Sequence, residues 1–419
     1  MISDILYRCP ACGQFDWLDD SGDTCTACGA AVKVISRSRI AVNGAVRDIS
    51  DWYDKIRSLG MVRRCDGSIL KSRRVRLARE KTGGHYHGLG GITATHYDRQ
   101  PVDQGRLTLF DDRLCFSGAI AERTIGFSSI TSVTIESDTL IIVSRLDGPL
   151  FFDFLEESGK KWEDCLQCVL TEFHSTKTIV EFYPKIRFAE DLRLSALQTT
   201  GHLPLRVASR QWYRREPWLF YAGVRKAAKA LIQCVFRVRV DGLDNIPAHG
   251  AAVLLSNHCS FLDSIILEAF PARHIWFMAK NSQYSNDFLR WFLKLAHSFP
   301  VRRYTTDVQA VRNAIRIVQQ GHVLGIFPEG ERSWDGRMLP FKRGTLRLIL
   351  SLGVPVIPVG ISGAYGLMPR WTTRIRRVPV TVRIGTPLRF DAIAAPRQTE
   401  ADLRRASAVL REALSRLMD

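Results

Sequence analysis

Residues 252–263 read AVLLSNHCSFLD. A short apolar run bounded by a polar turn reads as a buried strand, and here it delivers Asn257 and His258 into the start of a helix, with Asp263 five residues after the histidine. A histidine leaving such a strand and a carboxylate across a turn can meet, one ring nitrogen held by Asp263 and the other left to face a substrate hydroxyl. Alone, a pair at this spacing is more often a helix-capping arrangement.

A second strand end, HVLGIFPEGERS at 322–333, carries a charged turn. There Gly330 permits close approach of backbone to ligand, Glu329 can accept from hydroxyls, and the Arg332 guanidinium can fork onto phosphate. Phe299–Arg303 (FPVRR) reads as another strand-end loop with adjacent guanidinium groups, and 354–360 (VPVIPVG) as a strand interrupted by prolines. Outward from these, strands are expected at 237–241, 251–256, 274–279, 322–327, 354–361 and 379–384, and helices at 217–234, 261–269, 286–296, 306–320, 343–352 and 400–417. Such alternation predicts an α/β domain over 200–419, a mixed sheet covered by helices, with function at the strand ends.

Taken together and in order, NHCSFLD, FPVRR, FPEGERS and VPVIPVGIS resemble the four blocks of the PlsC-type glycerophospholipid acyltransferases, the 1-acylglycerol-3-phosphate acyltransferase family, over roughly residues 235–385. The resemblance implies transfer of a fatty acyl group from acyl-CoA or acyl-carrier protein to the free hydroxyl of a lysophospholipid, with 1-acyl-glycerol-3-phosphate the leading acceptor. It implies His258 as general base, Asp263 as its orienting partner, Lys280 as an oxyanion donor with the Gly330 amide, and Arg303 and Arg332 as phosphate ligands. Asn257, Glu329 and Gly330 would belong to the substrate-binding part of the site; Cys259 would be a bystander, and no catalytic metal is implied. Two positions depart from the pattern: His297 stands where the second block opens with Gly, and Glu331 where the third often has Thr or Gly. Both put the acceptor pocket in question. A nonenzymatic lipid-docking scaffold, or an acyltransferase acting on another lysolipid or a lyso-aminolipid, are the alternatives.

The N-terminus is organised differently. Cys9-Pro-Ala-Cys12-Gly and Cys25-Thr-Ala-Cys28-Gly match tetrahedral zinc, and the glycine after each pair suits a tight knuckle. A structural zinc ribbon is expected over 1–35, with a protein partner; the other six cysteines read as ordinary buried thiols. Residues 36–95 read as a linker with a short helix at 46–60, a basic stretch at 63–81 and a glycine-rich segment, GGHYHGLGG, at 83–91. Over 96–175, short alternating strands precede a helix at 157–173, and this order resembles a pleckstrin-homology or GRAM-type domain.

Lys and Arg number 59 against 42 Asp and Glu, and residues 201–419 hold 33 of the former against 15 of the latter. The whole positive balance therefore sits beside the proposed chemistry, where it attracts an anionic membrane surface. A basic amphipathic helix over 217–236, with Phe220, Val224, Ala227, Leu231 and Val235 on one stripe, is suited to the membrane interface. The stripe Phe288, Trp291, Phe292 and Leu295 is expected in the core instead. No nucleic acid is expected, because the ribbon is acidic at Asp16, Asp19, Asp20 and Asp23. With neither an export signal nor a long apolar run, the expectation is a cytoplasmic protein bound peripherally to the inner face of the membrane.

Overall fold

The computed structural model describes residues 2–19, 21–60, 64–136, 138–175, 237–390 and 398–419, and a set of helical positions between Gly223 and Phe236. The stripe Phe220, Val224, Ala227, Leu231 and Val235 lies outside the described residues. Of the neighbouring positions, Ile232 is buried and the Lys229 ammonium lies 5.4 Å from the Phe270 ring centroid. Among the described residues no helix is long and apolar enough to cross a membrane.

At the N-terminus, strands β1 (Val32–Val34), β2 (Arg39–Val42) and β3 (Ala45–Asp48) form a small antiparallel sheet followed by helix α1 (Ile49–Ser58). An eight-stranded antiparallel sheet comes next. Its strands are β4 (Leu70–Lys71), β5 (Val75–His87), β6 (Thr93–Leu109), β7 (Arg113–Gly118), β8 (Glu122–Gly126), β9 (Ile130–Glu136), β10 (Thr139–Ser144) and β11 (Gly148–Phe154), in the order β8-β7-β6-β5-β11-β10-β9 with β4 beside β6. Helix α2 (Gly159–Ser175) packs against β9 and β10, burying Trp162, Cys165, Leu166 and Val169.

The linker expected at 36–95 is where the structure departs from the sequence. Residues 75–87 and 93–109 are two paired strands whose hairpin reaches out to the C-terminal half. Lys81, Gly83 and Gly84 look like linker composition, yet Lys81 and Gly84 pair with Asp98 and His96 in the ladder, Gly83 is the bulge between them, and the tip is anchored by side chains. The Tyr86 hydroxyl donates to the Ser298 carbonyl at 2.8 Å, and Asn313 Nδ2 donates to the Thr93 carbonyl at 2.8 Å. Of the six remaining cysteines, Cys165 and Cys259 are buried, whereas Cys65, Cys168 and Cys234 are exposed, contrary to expectation.

The C-terminal half is built on a seven-stranded sheet of β12 (Val238–Asp241), β13 (Ala252–Ser256), β14 (Ile275–Lys280), β15 (Ser298–Val301), β16 (Val323–Ile326), β17 (Val356–Ser362) and β18 (Val380–Ile384), ordered β12-β18-β17-β13-β16-β14-β15. Pairing is parallel except between β17 and β18, so the sheet is mixed. Every residue of β13 and β16 is buried, as continuous apolar runs require when both faces are covered. Alternate residues serve opposite faces: Val253, Leu255, Leu324 and Ile326 join one cluster, Ala252, Leu254 and Val323 the other. The covering helices are α3 (Asp263–Ala269), α4 (Asp287–Leu295), α5 (Val308–Gln319), α6 (Arg343–Ser351), α7 (Ala364–Leu367) and α8 (Glu400–Met418). Strand β15 was not expected: FPV carries a proline and reads as loop, but its place at the edge of the sheet tolerates the missing N–H.

These parts are not beads on a string. One apolar cluster runs from Ile5, Trp17 and Trp52 through Trp162 of α2 to Cys259, Trp334 and Tyr365 of the C-terminal half. Polar ties reinforce it: Arg37 donates to the carbonyls of Gly366, Leu367 and Arg374, and Arg337 forks onto Asp54 at 2.6 and 2.8 Å.

Candidate active site

Asn257 and His258 leave the C-terminal end of β13, and α3 begins at Asp263. The turn between them places His258 Nδ1 2.9 Å from Asp263 Oδ2, an oxygen that also accepts the backbone N–H groups of Cys259 and Ser260 at 2.8 Å each. A carboxylate only accepts, so Nδ1 carries the hydrogen and Nε2 is left as the base. The imidazole lies flat on Phe327, centroids 3.9 Å apart and planes 14° from parallel. Ring and carboxylate are thus held in one arrangement.

The turn after β16 is stitched to the same place. Glu329 accepts the His258 N–H at 2.9 Å and the Leu339 N–H at 2.7 Å, and the Ser333 N–H donates to the His258 carbonyl at 2.8 Å. Burial pushes the Glu329 carboxyl up to about 8, against the pull of those two amides. Its two oxygens are engaged by backbone, so it shapes the site more than it offers itself to a hydroxyl. Gly330 sits at φ +74, and a Cβ there would come within 2.7 Å of the Lys342 side chain, so glycine is required. Cys259 is buried and its thiol is pushed well above the usual range by desolvation, as befits a bystander.

Four of the expected site positions are placed otherwise. Lys280 Nζ pairs with Glu136 of β9 at 3.0 Å and is not among the described residues lining the cleft, so it is not delivered as an oxyanion donor. The Gly330 N–H donates to the Phe327 carbonyl at 3.0 Å and is likewise committed. Asn257 is fully buried and bonds both ways to Ile361 of β17, at 3.0 and 2.8 Å, tying two strands rather than facing substrate. Arg332 is set back from the cleft lining, its guanidinium lowered to about 10 by burial, with Arg370 and Arg303 adding to the effect. Arg303 does line the cleft.

The two departures from the family pattern resolve differently. His297 is at φ +48, in the region that favours glycine, and is buried before β15, its ring 4.0 Å from His274 and 5.0 Å from Trp276. It does not line the cleft. Glu331 does line it, and its charge is met by Arg370, whose Nη1 is 2.5 Å from Glu331 Oε2. Nothing in the motif pointed to Arg370.

A cleft of about 650 Å³ opens at His258. Its apolar lining includes Met278, Val301, Val311, Phe341 and Leu348, and its polar lining includes Arg303, Lys342 and, from outside the α/β half, Tyr53, Arg57, Lys160 and Glu163. Sequence reasoning missed the last four because no local pattern announces that α1 and α2 fold over a site some hundred residues or more downstream.

Far from this cleft in sequence, Cys9, Cys12, Cys25 and Cys28 bring their sulfurs together, all within 4.8 Å. The Cys9–Cys28 and Cys12–Cys25 separations are 3.8 Å each, the edge of a tetrahedron with metal–sulfur bonds of about 2.3 Å. Gly13 and Gly29 have φ +79 and +69, the expected knuckle geometry, and the Ala11 N–H points to Cys9 Sγ at 3.4 Å. The donor set fits a structural zinc.

Residues 237–362 match the family model described as Acyltransferase. The chain is similar to the chloroplastic 1-acyl-sn-glycerol-3-phosphate acyltransferase of Brassica napus, 31% identical over 179 residues, which are 42% of this chain and 51% of that protein. It is similar to the 1-acyl-sn-glycerol-3-phosphate acyltransferase of Bacillus subtilis, 28% identical over 144 residues, 34% of this chain and 71% of that one. Among solved structures, the 1-acyl-sn-glycerophosphate (LPA) acyltransferase PlsC of Thermotoga maritima is 28% identical with a TM-score of 0.41, covering 49% of this chain and 84% of that chain. The chain spans about half the length of the first curated relatives it matches.

Proposed function

We propose a membrane-associated O-acyltransferase of the PlsC type, which moves a fatty acyl group from acyl-CoA or acyl-carrier protein to the hydroxyl of 1-acyl-glycerol-3-phosphate; the match of residues 237–362 to the Acyltransferase family model supports this reading. The His258–Asp263 pair, whose imidazole lines a cleft holding both arginine and lysine side chains and apolar ones, carries this reading. His258 Nε2 takes the proton of the acceptor hydroxyl as its oxygen attacks the thioester carbonyl. The intermediate then collapses, the C–S bond breaks, and the thiolate leaves and takes up the proton. The apolar lining suits an acyl chain and Arg303 suits a phosphate.

The test is a panel of lysophospholipid acceptors with a long-chain acyl-CoA and an acyl-carrier protein. Phosphatidic acid formed from the lysophosphatidate arm is the expected result. A product formed only from another lysolipid, or none from any, would overturn the acceptor or the activity respectively.

Membrane attachment is supported by a face the sequence assigned to the core. Helix α4 buries none of its residues completely; Phe288, Trp291 and Phe292 are 72, 53 and 36% exposed, with Arg290 and Lys294 between and beyond them. Aromatic rings beside cations suit the interface of an anionic bilayer. Burying a large apolar side chain is worth about 1.5–3 kcal/mol, so Phe288→Ser or Trp291→Ser should each lower partition onto anionic vesicles about tenfold. Cosedimentation equal to wild type would exclude this face.

We read the hairpin-rich unit with α2 across its end as pleckstrin-homology or GRAM-like in an architectural role, and the four-cysteine unit as a zinc ribbon that braces it. Asp164 of α2 supports this, since its Oδ2 accepts from Tyr7 of the ribbon at 3.0 Å and from Tyr53 of α1 at 2.7 Å.

A further inference from the structure

Glu331 stands in a cluster of cations contributed by distant parts of the chain. Arg370 contacts its carboxylate at 2.5 Å, donates to the Ile135 carbonyl of β9 at 2.8 Å, and lies over the Trp334 ring at 4.4 Å. Lys160 of α2 is on the same indole, 5.8 Å from its centroid, and Lys342 runs along Gly330, next in sequence to Glu331. Together Arg370, Lys342 and Lys160 draw the Glu331 carboxyl down to about 2, although burial alone would raise it. This is the electrostatic layout of a site for a phosphate group, held by a carboxylate of the chain itself.

Lys160 has room for one partner beyond the two carboxylates it already meets. Its ammonium has three hydrogens; one is donated to Glu163 at 2.6 Å, and Asp164 is an ion-pair partner at 3.0 Å. Lys160, Lys342 and Glu331 line the cleft at His258, whereas Arg370 is outside that lining and is reached through Glu331, the carboxylate it contacts. Burying so many charges is costly unless they are closely paired.

We propose that a phosphate monoester binds among Arg370, Lys342 and Lys160 by displacing the Glu331 carboxylate, so that Glu331 sets the affinity for the acceptor head group and the α2 unit is a working wall of the active site. This rests on the acyltransfer reading above and deepens it. The carboxylate is a built-in competitor, and its removal should tighten phosphate binding; loss of Lys160 should weaken it.

The experiment uses the full-length zinc-loaded protein. Calorimetry measures binding of 1-oleoyl-glycerol-3-phosphate and, separately, of inorganic phosphate, and initial rates give KM for that lipid and for palmitoyl-CoA. Glu331→Gln is expected to lower Kd and acceptor KM about fivefold, and Lys160→Gln to raise them about five- to tenfold, with the donor KM unchanged. Lys160→Arg should restore wild-type behaviour. The double variant Lys160→Met/Glu163→Gln, which keeps the local net charge, provides a second version should the single one fold poorly; zinc content and thermal midpoint report on folding. Tighter binding of the lipid alone marks a lipid-borne phosphate as the ligand, and of both ligands a general phosphate site. Acceptor affinities within twofold of wild type, or weaker binding by Glu331→Gln, overturn the proposal. Wild type that binds the lipid but transfers nothing sinks the activity reading instead.

Discussion

Replacing His258 by alanine should reduce acyl transfer about 10²–10⁴-fold, the usual worth of a positioned general base, while leaving the melting temperature and the KM for the thioester little changed. The effect is large because the described groups next to His258 cannot replace it: Glu329 is tied to two backbone amides and Cys259 is a buried thiol of raised pKa. The pH profile supplies an independent check. Burial holds the His258 pKa below 6.5, the Asp263 carboxylate opposes that, and Arg303 and Arg332 lower it further. A base must be neutral to act, so kcat/KM should rise with pH along an acid limb centred below 6.5 and be level at neutrality. Asp263→Asn removes the group that supports the imidazolium, which should move the limb to still lower pH as well as slow the reaction. Full activity of the alanine variant, or a limb above neutrality, would contradict the assignment.

Loss of the zinc should be the most damaging structural change. In isolated zinc-finger peptides the ion contributes about 10–16 kcal/mol at neutral pH, comparable to the whole stability of an ordinary domain, about 5–15 kcal/mol. Replacing Cys12 and Cys28 with serine, or stripping the ion with a chelator, should abolish the one equivalent of zinc measured by elemental analysis and unfold the ribbon. The damage should spread, because Trp17 of the ribbon shares an apolar cluster with Trp52 and Trp162, and Tyr7 holds Asp164 beside Lys160. A marked fall in the thermal midpoint and in acyl transfer is therefore expected. Unchanged melting in metal-free protein would show that the four cysteines do not hold the fold.

The pieces of the site were legible in the sequence to the extent that they are local. His258 and Asp263 are five residues apart, and the strand before them is marked by its apolar run, so one turn of chain completes the pair. The knuckle glycines Gly13 and Gly29 were legible for the same reason, since a left-handed backbone position beside a cysteine pair leaves a specific residue type. Where the partner came from afar, reading failed. Lys280 ends its strand as expected, but Glu136 of a separate sheet takes its charge. Asn257 looked available until β17 was placed beside it. The hairpin of β5 and β6 was hidden because the outer part of β5, EKTGGHYH at 80–87, is charged and carries two glycines, a composition that a strand accepts when it is paired and its tip rests on another unit.

Sequence by itself determined which residues can exchange a proton, where four sulfurs can converge, and which runs must be buried strands, because periodicity, turn chemistry and short spacings act over a few residues. Only the tertiary structure decided which charges neutralise one another, that Arg370 meets Glu331 and shares the Trp334 indole with Lys160, that α4 exposes its aromatic side chains, and that α1 and α2 line the cleft. The reason is that electrostatic pairing and burial depend on distance in space, and residues separated by a hundred or more positions carry no local mark of the neighbours they will meet.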